Sequence, residues 1–151
     1  MIVVDDPVTD PLDHLRLAFL NALDDGDGIA EAAAYLDAGG QIDAPIVPMI
    51  DQTMLHYAAI NRHAALIELL AERGADLDVE NAFGMSALHL AVTHEIDAVL
   101  LQWQEPDFPI ARRLVQLGAS LDSMDNQGKR PRDVAAIYGP AMLGLFDEVV
   151  K

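Results

Sequence analysis

The chain has 151 residues, no cysteine and a formal net charge of −16, with 25 Asp and Glu against nine Lys and Arg. The lack of cysteine excludes disulfides and thiolate metal sites, and so negative a surface repels nucleic acid and anionic lipid. No uncharged apolar stretch approaches the roughly 20 residues of a membrane span, and the N-terminus lacks the basic segment of a secretion signal. We therefore expect one cytoplasmic domain, residues 1–151, that binds neither nucleic acid nor membrane.

The first 43 residues hold ten carboxylates and a single basic residue, Arg16. A helix is predicted over Pro11–Leu23, followed by the acidic turn Asp24–Gly28. Alternating acids before a glycine are typical of a calcium loop, but with Gly28 as the required glycine the terminal Glu position falls on Ala34. We therefore interpret this segment as a solvated turn between two helices.

A seven-residue motif in the middle of the chain recurs. Thr-Met-Leu-His-Tyr-Ala-Ala at 53–59 returns after 33 residues as Ser-Ala-Leu-His-Leu-Ala-Val at 86–92. A fainter copy, Arg-Pro-Arg-Asp-Val-Ala-Ala at 130–136, follows 44 residues later. A second marker, Gly-Ala-Asp-Leu-Asp at 74–78, returns as Gly-Ala-Ser-Leu-Asp at 118–122.

Each unit has the features of a pair of short helices. Thr53 stands where a helix N-cap is needed, and Gly74 supplies the left-handed residue that ends the second helix. Apolar residues follow a helical period on both segments, at Leu55, Ala58, Ala59, Leu66, Ile67, Leu69 and Leu70. Such a pair cannot bury its apolar groups alone and must stack on copies of itself.

This pattern resembles the ankyrin repeat. The resemblance covers about residues 12–149 and implies an all-α solenoid of about four helix-turn-helix repeats with short β-hairpin loops. The repeats would span about 9–43, 49–81, 82–125 and 126–151. Between Asp43 and Thr53 the connection contains Pro45 and Pro48, so its hairpin is expected to be irregular.

The third repeat departs most from the pattern. Ala58 and Gly74 are 16 residues apart, whereas the equivalent Ala91 and Gly118 are 27 apart, which predicts an 11-residue insertion. We expect the first helix of this repeat to extend through Trp103. Pro109 is expected to begin the second helix.

The resemblance assigns structural roles to the repeated motif. Thr53 with His56, and Ser86 with His89, would form cap hydrogen bonds, while Gly74 and Gly118 would end helices. Arg130 and Asp133 replace the third pair and could bridge the same turn. His63 occupies the position at which the family has a histidine, in the turn between two helices.

The resemblance also implies a partner-binding concave surface made by hairpin tips and inner helices. Its candidate residues are Met49, Ile50, Gln52, Tyr57, Ile60, Ala82, Phe83, Met85, Thr93, Asn126, Gln127 and Lys129. Large apolar residues at several tips favour an interaction surface, although Ile50 and Met85 could instead fold back onto the hairpins. Trp103 and Phe108 lie in the insertion, where they could contact a partner or simply pack the longer helix.

The sequence favours a non-catalytic module that binds a protein partner, with no cofactor or metal. The negative charge suggests a basic partner, and a monomer is favoured with the oligomeric state left open. A narrower alternative is an immunity or inhibitor protein that neutralises a basic toxin or enzyme, and another is a scaffold that only links proteins. An enzyme or metal protein is the remote alternative. Of the histidines that could act in catalysis or bind a metal, only His14 and His94 fall outside the structural positions of the repeat.

Overall fold

The computed structural model describes residues 10–47, 49–102 and 107–151, apart from the side chains of Asp25 and Val99. These residues contain eight helices, and their only bridge between extended segments joins Val47 and Gln52. The chain divides into two compact units, up to Gln41 and from Ile42 onward. The expectation of a single domain with four repeat boundaries stays a prediction.

The first unit is a helical pair, α1 over Asp13–Asp25 and α2 over Ile29–Asp37. Helix α1 begins and ends two residues later than predicted. The turn between the helices is closed by Gly28, whose φ of 70° is left-handed, and by Asp27 Oδ1, which accepts the Ile29 N–H at 3.1 Å. This geometry confirms the interpretation of the acidic segment as a turn between two helices.

Tyr35 and Phe19 form the centre of the first unit, and both are fully buried. The Tyr35 hydroxyl donates to the Gln41 carbonyl at 3.1 Å, and the guanidinium of Arg16 lies 5.5 Å from the ring centroid. Gly40 passes so close to the ring that a Cβ there would lie 2.4 Å from it. Because a side chain at position 40 would displace the Tyr35 ring, glycine is required.

The second unit consists of three helical pairs in sequence. The first member of each pair is an inner helix, and α5 packs against both α3 and α7, while α4 packs against α6. Each pair thus covers apolar surface that its neighbour cannot bury alone. The helices are α3 Met54–Ile60, α4 Ala64–Glu72, α5 Ala87–Leu100, α6 Pro109–Leu117, α7 Pro131–Ile137 and α8 Pro140–Val149.

Proline and glycine mark the helix boundaries of this unit. Pro109 begins α6, as predicted, and Pro140 begins α8 in the same way, because proline lacks the N–H that would go unpaired there. Gly74 and Gly118 follow α4 and α6 with φ of 88° and 112°, which confirms their role as left-handed terminators.

Helix α5 has 14 residues, whereas α3 has seven. The expected extension of α5 is therefore present as far as Leu100. Trp103, where the helix was expected to end, lies outside the described residues, and so do Gln104, Glu105 and Pro106.

Three hairpins precede the inner helices. The second pairs Asn81 with Met85 and the third pairs Asp125 with Lys129, whereas the first pairs Val47 with Gln52 and is one residue longer. The first hairpin therefore differs from the other two, as the sequence predicted, although Pro48 lies outside the described residues. Among the described residues no helix is long and apolar enough to cross a membrane.

Candidate partner-binding surface

A side-chain oxygen at the base of the second and third hairpins fixes the shape of each tip. Asn81 Oδ1 accepts the N–H groups of Phe83 and Met85 at 2.9 and 3.1 Å. Asp125 Oδ1 accepts the N–H groups of Gln127 and Lys129, both at 2.9 Å. The repeat motif did not single out Asn81 and Asp125, although an Asx residue four positions before the end of a tight turn is a recognisable feature.

Backbone hydrogen bonds join each tip to the next. The Ala82 N–H donates to the Ile50 carbonyl at 2.9 Å, and the Asn126 N–H donates to the Phe83 carbonyl at 3.0 Å. Asn126 Nδ2 also donates to the Ala82 carbonyl at 2.9 Å. The tips therefore form one continuous edge with a fixed register.

Gly84 permits the closest of these approaches. A Cβ at this position would lie 2.4 Å from Asn126 Oδ1 and 2.8 Å from Asn126 N, and its φ of +72° is left-handed. Gly128 has a similar φ of +75°, but nothing lies within 4 Å of its Cβ position. Gly84 is thus needed for conformation and for space, and Gly128 for conformation alone.

The two signature histidines connect their own helix to the next hairpin. His56 Nε2 lies 2.9 Å from the Met85 carbonyl oxygen, and since a carbonyl only accepts, this nitrogen carries the proton. Nδ1 then accepts from the hydroxyl and the N–H of Thr53, at 2.8 and 3.1 Å. Burial holds the pKa of His56 below its usual value, which keeps the ring neutral.

His89 repeats this arrangement one unit later. Its Nδ1 lies 2.8 Å from the Ser86 hydroxyl and its Nε2 lies 2.8 Å from the Lys129 carbonyl oxygen. The implied cap pairs are therefore present, and each ring has a second bond that the motif alone did not indicate.

In the fourth repeat an ion pair replaces the histidine. Asp133 Oδ2 accepts the Arg130 N–H at 2.9 Å and the Arg130 Nε–H at 3.1 Å. Hydrogen bonds from Arg130 hold the pKa of Asp133 below its usual value. The expected bridge across the first turn of α7 is confirmed.

Further bonds between repeats lie away from the tips. Asp43 Oδ1 accepts the Asp76 N–H at 2.9 Å, and Asp78 Oδ1 accepts the Ser120 N–H at 2.7 Å. On the outer helices Glu68 forms a bidentate ion pair with Arg113. These bonds add to the contacts that hold successive repeats together.

We define the tip surface as the residues of the hairpin tips that remain at least partly accessible. Met49 and Phe83 are 90% and 56% exposed, while Ile50 and Met85 are half-buried, so these two fold back only in part. The members of the tip surface are Met49, Ile50, Ala82, Phe83, Met85, Asn126, Gln127 and Lys129.

Two candidate contact residues are buried instead. Gln52 is only 8% exposed, and its Oε1 accepts from Asn81 Nδ2 at 2.9 Å, so it joins two hairpins and does not face a partner. Phe108 is fully buried, and its ring meets that of Phe146 edge to face at 5.5 Å. The placement of Gln52 on the contact surface was therefore wrong, and Phe108 follows the packing alternative.

The inner-helix candidates Tyr57, Ile60 and Thr93 are half-buried beside the tips. The structure adds Ile137, which is 62% exposed at the end of α7 and occupies the position of Ile60 two repeats later. Sequence reasoning missed it because the fourth copy of the motif is faint, although the offsets of 33 and 44 residues lead from Ile60 to Ile137.

Glu95 is a buried carboxylate that the repeat motif did not single out. It is 2% exposed, and its two oxygens accept the N–H groups of Ile110 and Ala111 at 2.7 and 3.2 Å. It therefore caps the N-terminus of α6 from the longer helix α5. Burial raises the pKa of Glu95 to about 7, and the two N–H groups oppose that shift.

The described residues contain no group of three or more His, Asp or Glu side chains that could hold a metal ion. His14 is exposed on α1, and His94 is half-buried on α5. His63, the residue before α4, stands at the interhelical turn as expected.

Stacked helical pairs with joined hairpin tips define the class of helical repeat proteins, or solenoids. A family model of ankyrin repeats in three copies matches residues 27–108, more than half of the chain. The chain therefore belongs to the ankyrin-repeat family, whose repeats are generally protein-interaction modules and not enzymes.

A curated relative with a longer chain is also similar. Ankyrin repeat and SOCS box protein 6 of Mus musculus is 30% identical over 103 residues, which are 68% of this chain. The matched segment spans only 22% of the relative's own length, so this likeness extends to the repeats alone.

Proposed function

We propose that the chain binds a basic protein partner through its tip surface. The observation that carries the proposal is the exposure of Met49 and Phe83 on two adjoining tips, which the bond from Ala82 to Ile50 holds together. Scattered exposed apolar residues mean little, but apolar residues on a pre-ordered edge lose little entropy when a partner binds.

The charge of the chain supports a basic partner. A net charge of −16 creates a field that steers a positively charged protein toward the surface and repels phosphate backbones. We therefore infer a cytoplasmic protein-binding role, without nucleic acid, membrane or cofactor. The narrower form is an immunity or inhibitor protein that neutralises a basic toxin or enzyme, and it is favoured by the same charge.

The test is capture of the partner from the native host with three forms of the full chain. The first is wild type, the second carries Met49→Ser and Phe83→Ser, and the third carries Leu17→Ser and Leu101→Ser. The third is a matched control, because Leu17 and Leu101 are 58% and 85% exposed but lie off the tips.

We expect a stoichiometric basic protein with wild type and with the control, and none with the tip variant. A partner that survives the tip substitutions and is lost with the control would contradict the proposal and assign binding outside the tip surface. Inhibition of an enzymatic or toxic activity of the captured protein would establish the narrower form.

A further inference from the structure

A pocket of about 240 Å³ opens between the second and third hairpin tips. Its lining residues are the exposed Phe83, the half-buried Met85 and Asp125, and the polar Asn126 and Gln127. An aromatic, an apolar and a negatively charged residue thus border a space large enough for a single long side chain.

The hairpin does not need the negative charge of Asp125. Asn81 occupies the equivalent position in the preceding hairpin and accepts two backbone N–H groups through Oδ1, as Asp125 does. A neutral amide therefore performs the same structural task in the same chain. The charge at position 125 is available for another purpose.

The Asp125 carboxylate also keeps capacity for a further donor. Both of its bonds to the hairpin backbone use Oδ1, which leaves Oδ2 to bind another group. Within the described part of the chain, Arg130 pairs with Asp133 and Arg132 pairs with Asp147, and the neighbouring Lys129 forms no ion pair with Asp125.

We propose that this pocket binds an arginine side chain of the protein partner, which rests on the function proposed above. A guanidinium group stacks on an aromatic face and pairs with a carboxylate at the same time. Its three methylene groups suit the Met85 wall, because long cationic side chains bury their stems on apolar surface. The net charge of −16 adds a long-range attraction for the same group.

The experiment is a ¹⁵N NMR titration of the full chain with three blocked amino acids: N-acetyl-arginine, N-acetyl-norleucine and N-acetyl-glutamate methylamides. We expect saturable shifts of the Phe83, Asn126 and Gln127 amides with the arginine probe, smaller shifts with norleucine and none with glutamate. Equal responses to arginine and glutamate, or no response to arginine, would overturn the proposal.

Three variants sharpen the result. Asp125→Asn keeps the hairpin bonds, as Asn81 shows, and should weaken arginine binding about three- to tenfold. Glu72→Gln removes the same charge from an exposed site on α4 and should change it by less than about 1.5-fold, since distant exposed charges are screened. Phe83→Leu should weaken arginine binding and leave norleucine binding unchanged. Equal effects of Asp125→Asn and Glu72→Gln would contradict a specific site.

Failure of this inference is distinguishable from failure of the proposed function. A chain that loses its partner through Met49→Ser and Phe83→Ser, yet ignores the arginine probe, would overturn the pocket and keep the tip surface. Arginine binding at the pocket with a partner that is insensitive to the tip variant would support the pocket and overturn the proposed function.

Discussion

In the third repeat the first turn of α5 is held by Ser86 and His89, whereas in the fourth repeat the first turn of α7 is held by Arg130 and Asp133. The histidine ring closes its own turn with one nitrogen and joins the next hairpin with the other. Among the described residues, the aspartate bonds only within its own turn. A histidine at this motif position thus both caps its own helix and joins the next repeat. An aspartate at the equivalent position caps the helix without joining another repeat.

The hairpins of these repeats differ in the same way. Gly84 touches the following tip, whereas Gly128 has open space at its Cβ position. Similarly, α6 and α8 both begin with proline, but only α6 receives a buried carboxylate, Glu95, on its first N–H groups. The two repeats therefore share the same turns and helix starts, and the third repeat adds contacts with neighbouring segments to them.

The largest effect is expected at the two glycines. Gly84→Ala should destabilise the chain by about 3 kcal/mol or more, because it combines left-handed strain with a clash against Asn126. Gly128→Ala should cost only about 1 kcal/mol, from the strain alone. Urea unfolding of both variants gives the difference, and equal losses would show that the tips do not depend on close contact.

The next effect concerns the first turns. His89→Ala should reduce the free energy of unfolding by about 1–3 kcal/mol, because it removes the acceptor of the buried Ser86 hydroxyl and N–H and one of the two donors to the Lys129 carbonyl. Asp133→Ala removes a partly exposed pair and should cost about 1 kcal/mol or less. Thermal or urea unfolding measures both. A folded His89→Ala chain that lost all partner binding would contradict the structural role of this histidine.

A pH effect distinguishes α6 from α8. The pKa of Glu95 is raised from 4.5 to about 7 in the folded chain, so the folded state retains a proton that the unfolded state has released. Its contribution to stability is complete below about pH 4.5 and is lost as the pH rises through about 7. The wild type should therefore lose about 1–3 kcal/mol relative to Glu95→Gln over this range.

Urea unfolding of wild type and Glu95→Gln across that pH range measures this difference, and the variant cancels the titration of the many surface carboxylates. A difference that stays constant with pH would show that the Glu95 carboxyl titrates at its ordinary pKa. In that case the two N–H groups of α6 would offset the effect of burial on the pKa.

The smallest effect is expected at the base of the third hairpin. Asp125→Asn should change the free energy of unfolding by less than about 0.5 kcal/mol, because the amide oxygen can accept both backbone N–H groups. Thermal unfolding measures it directly. A loss above about 1 kcal/mol would mean that Asn81 and Asp125 are not equivalent and that the fold itself requires the charge.

The repeat period predicted these helices well because each one is built from local features: the Thr53 cap, the apolar face of α4 and the proline that begins α6. Interactions between repeats were less accessible to sequence reasoning. The burial of Gln52 depends on Asn81, 29 residues away, and the role of Glu95 depends on α6. A residue's place on a hairpin predicts its backbone shape, but its exposure depends on what the next repeat brings against it.

The most direct test of the central claim is surface plasmon resonance with the captured partner on wild type, Phe83→Ala, Met85→Ala and Met49→Ala at two salt concentrations. Charge acts on encounter and is screened over roughly 8 Å at 0.15 M salt, while buried apolar side chains act on dissociation. We predict that higher salt lowers the association rate and that Phe83→Ala chiefly raises the dissociation rate. A salt-independent association rate, together with unchanged dissociation for all three variants, would contradict binding of a basic protein at the tip surface.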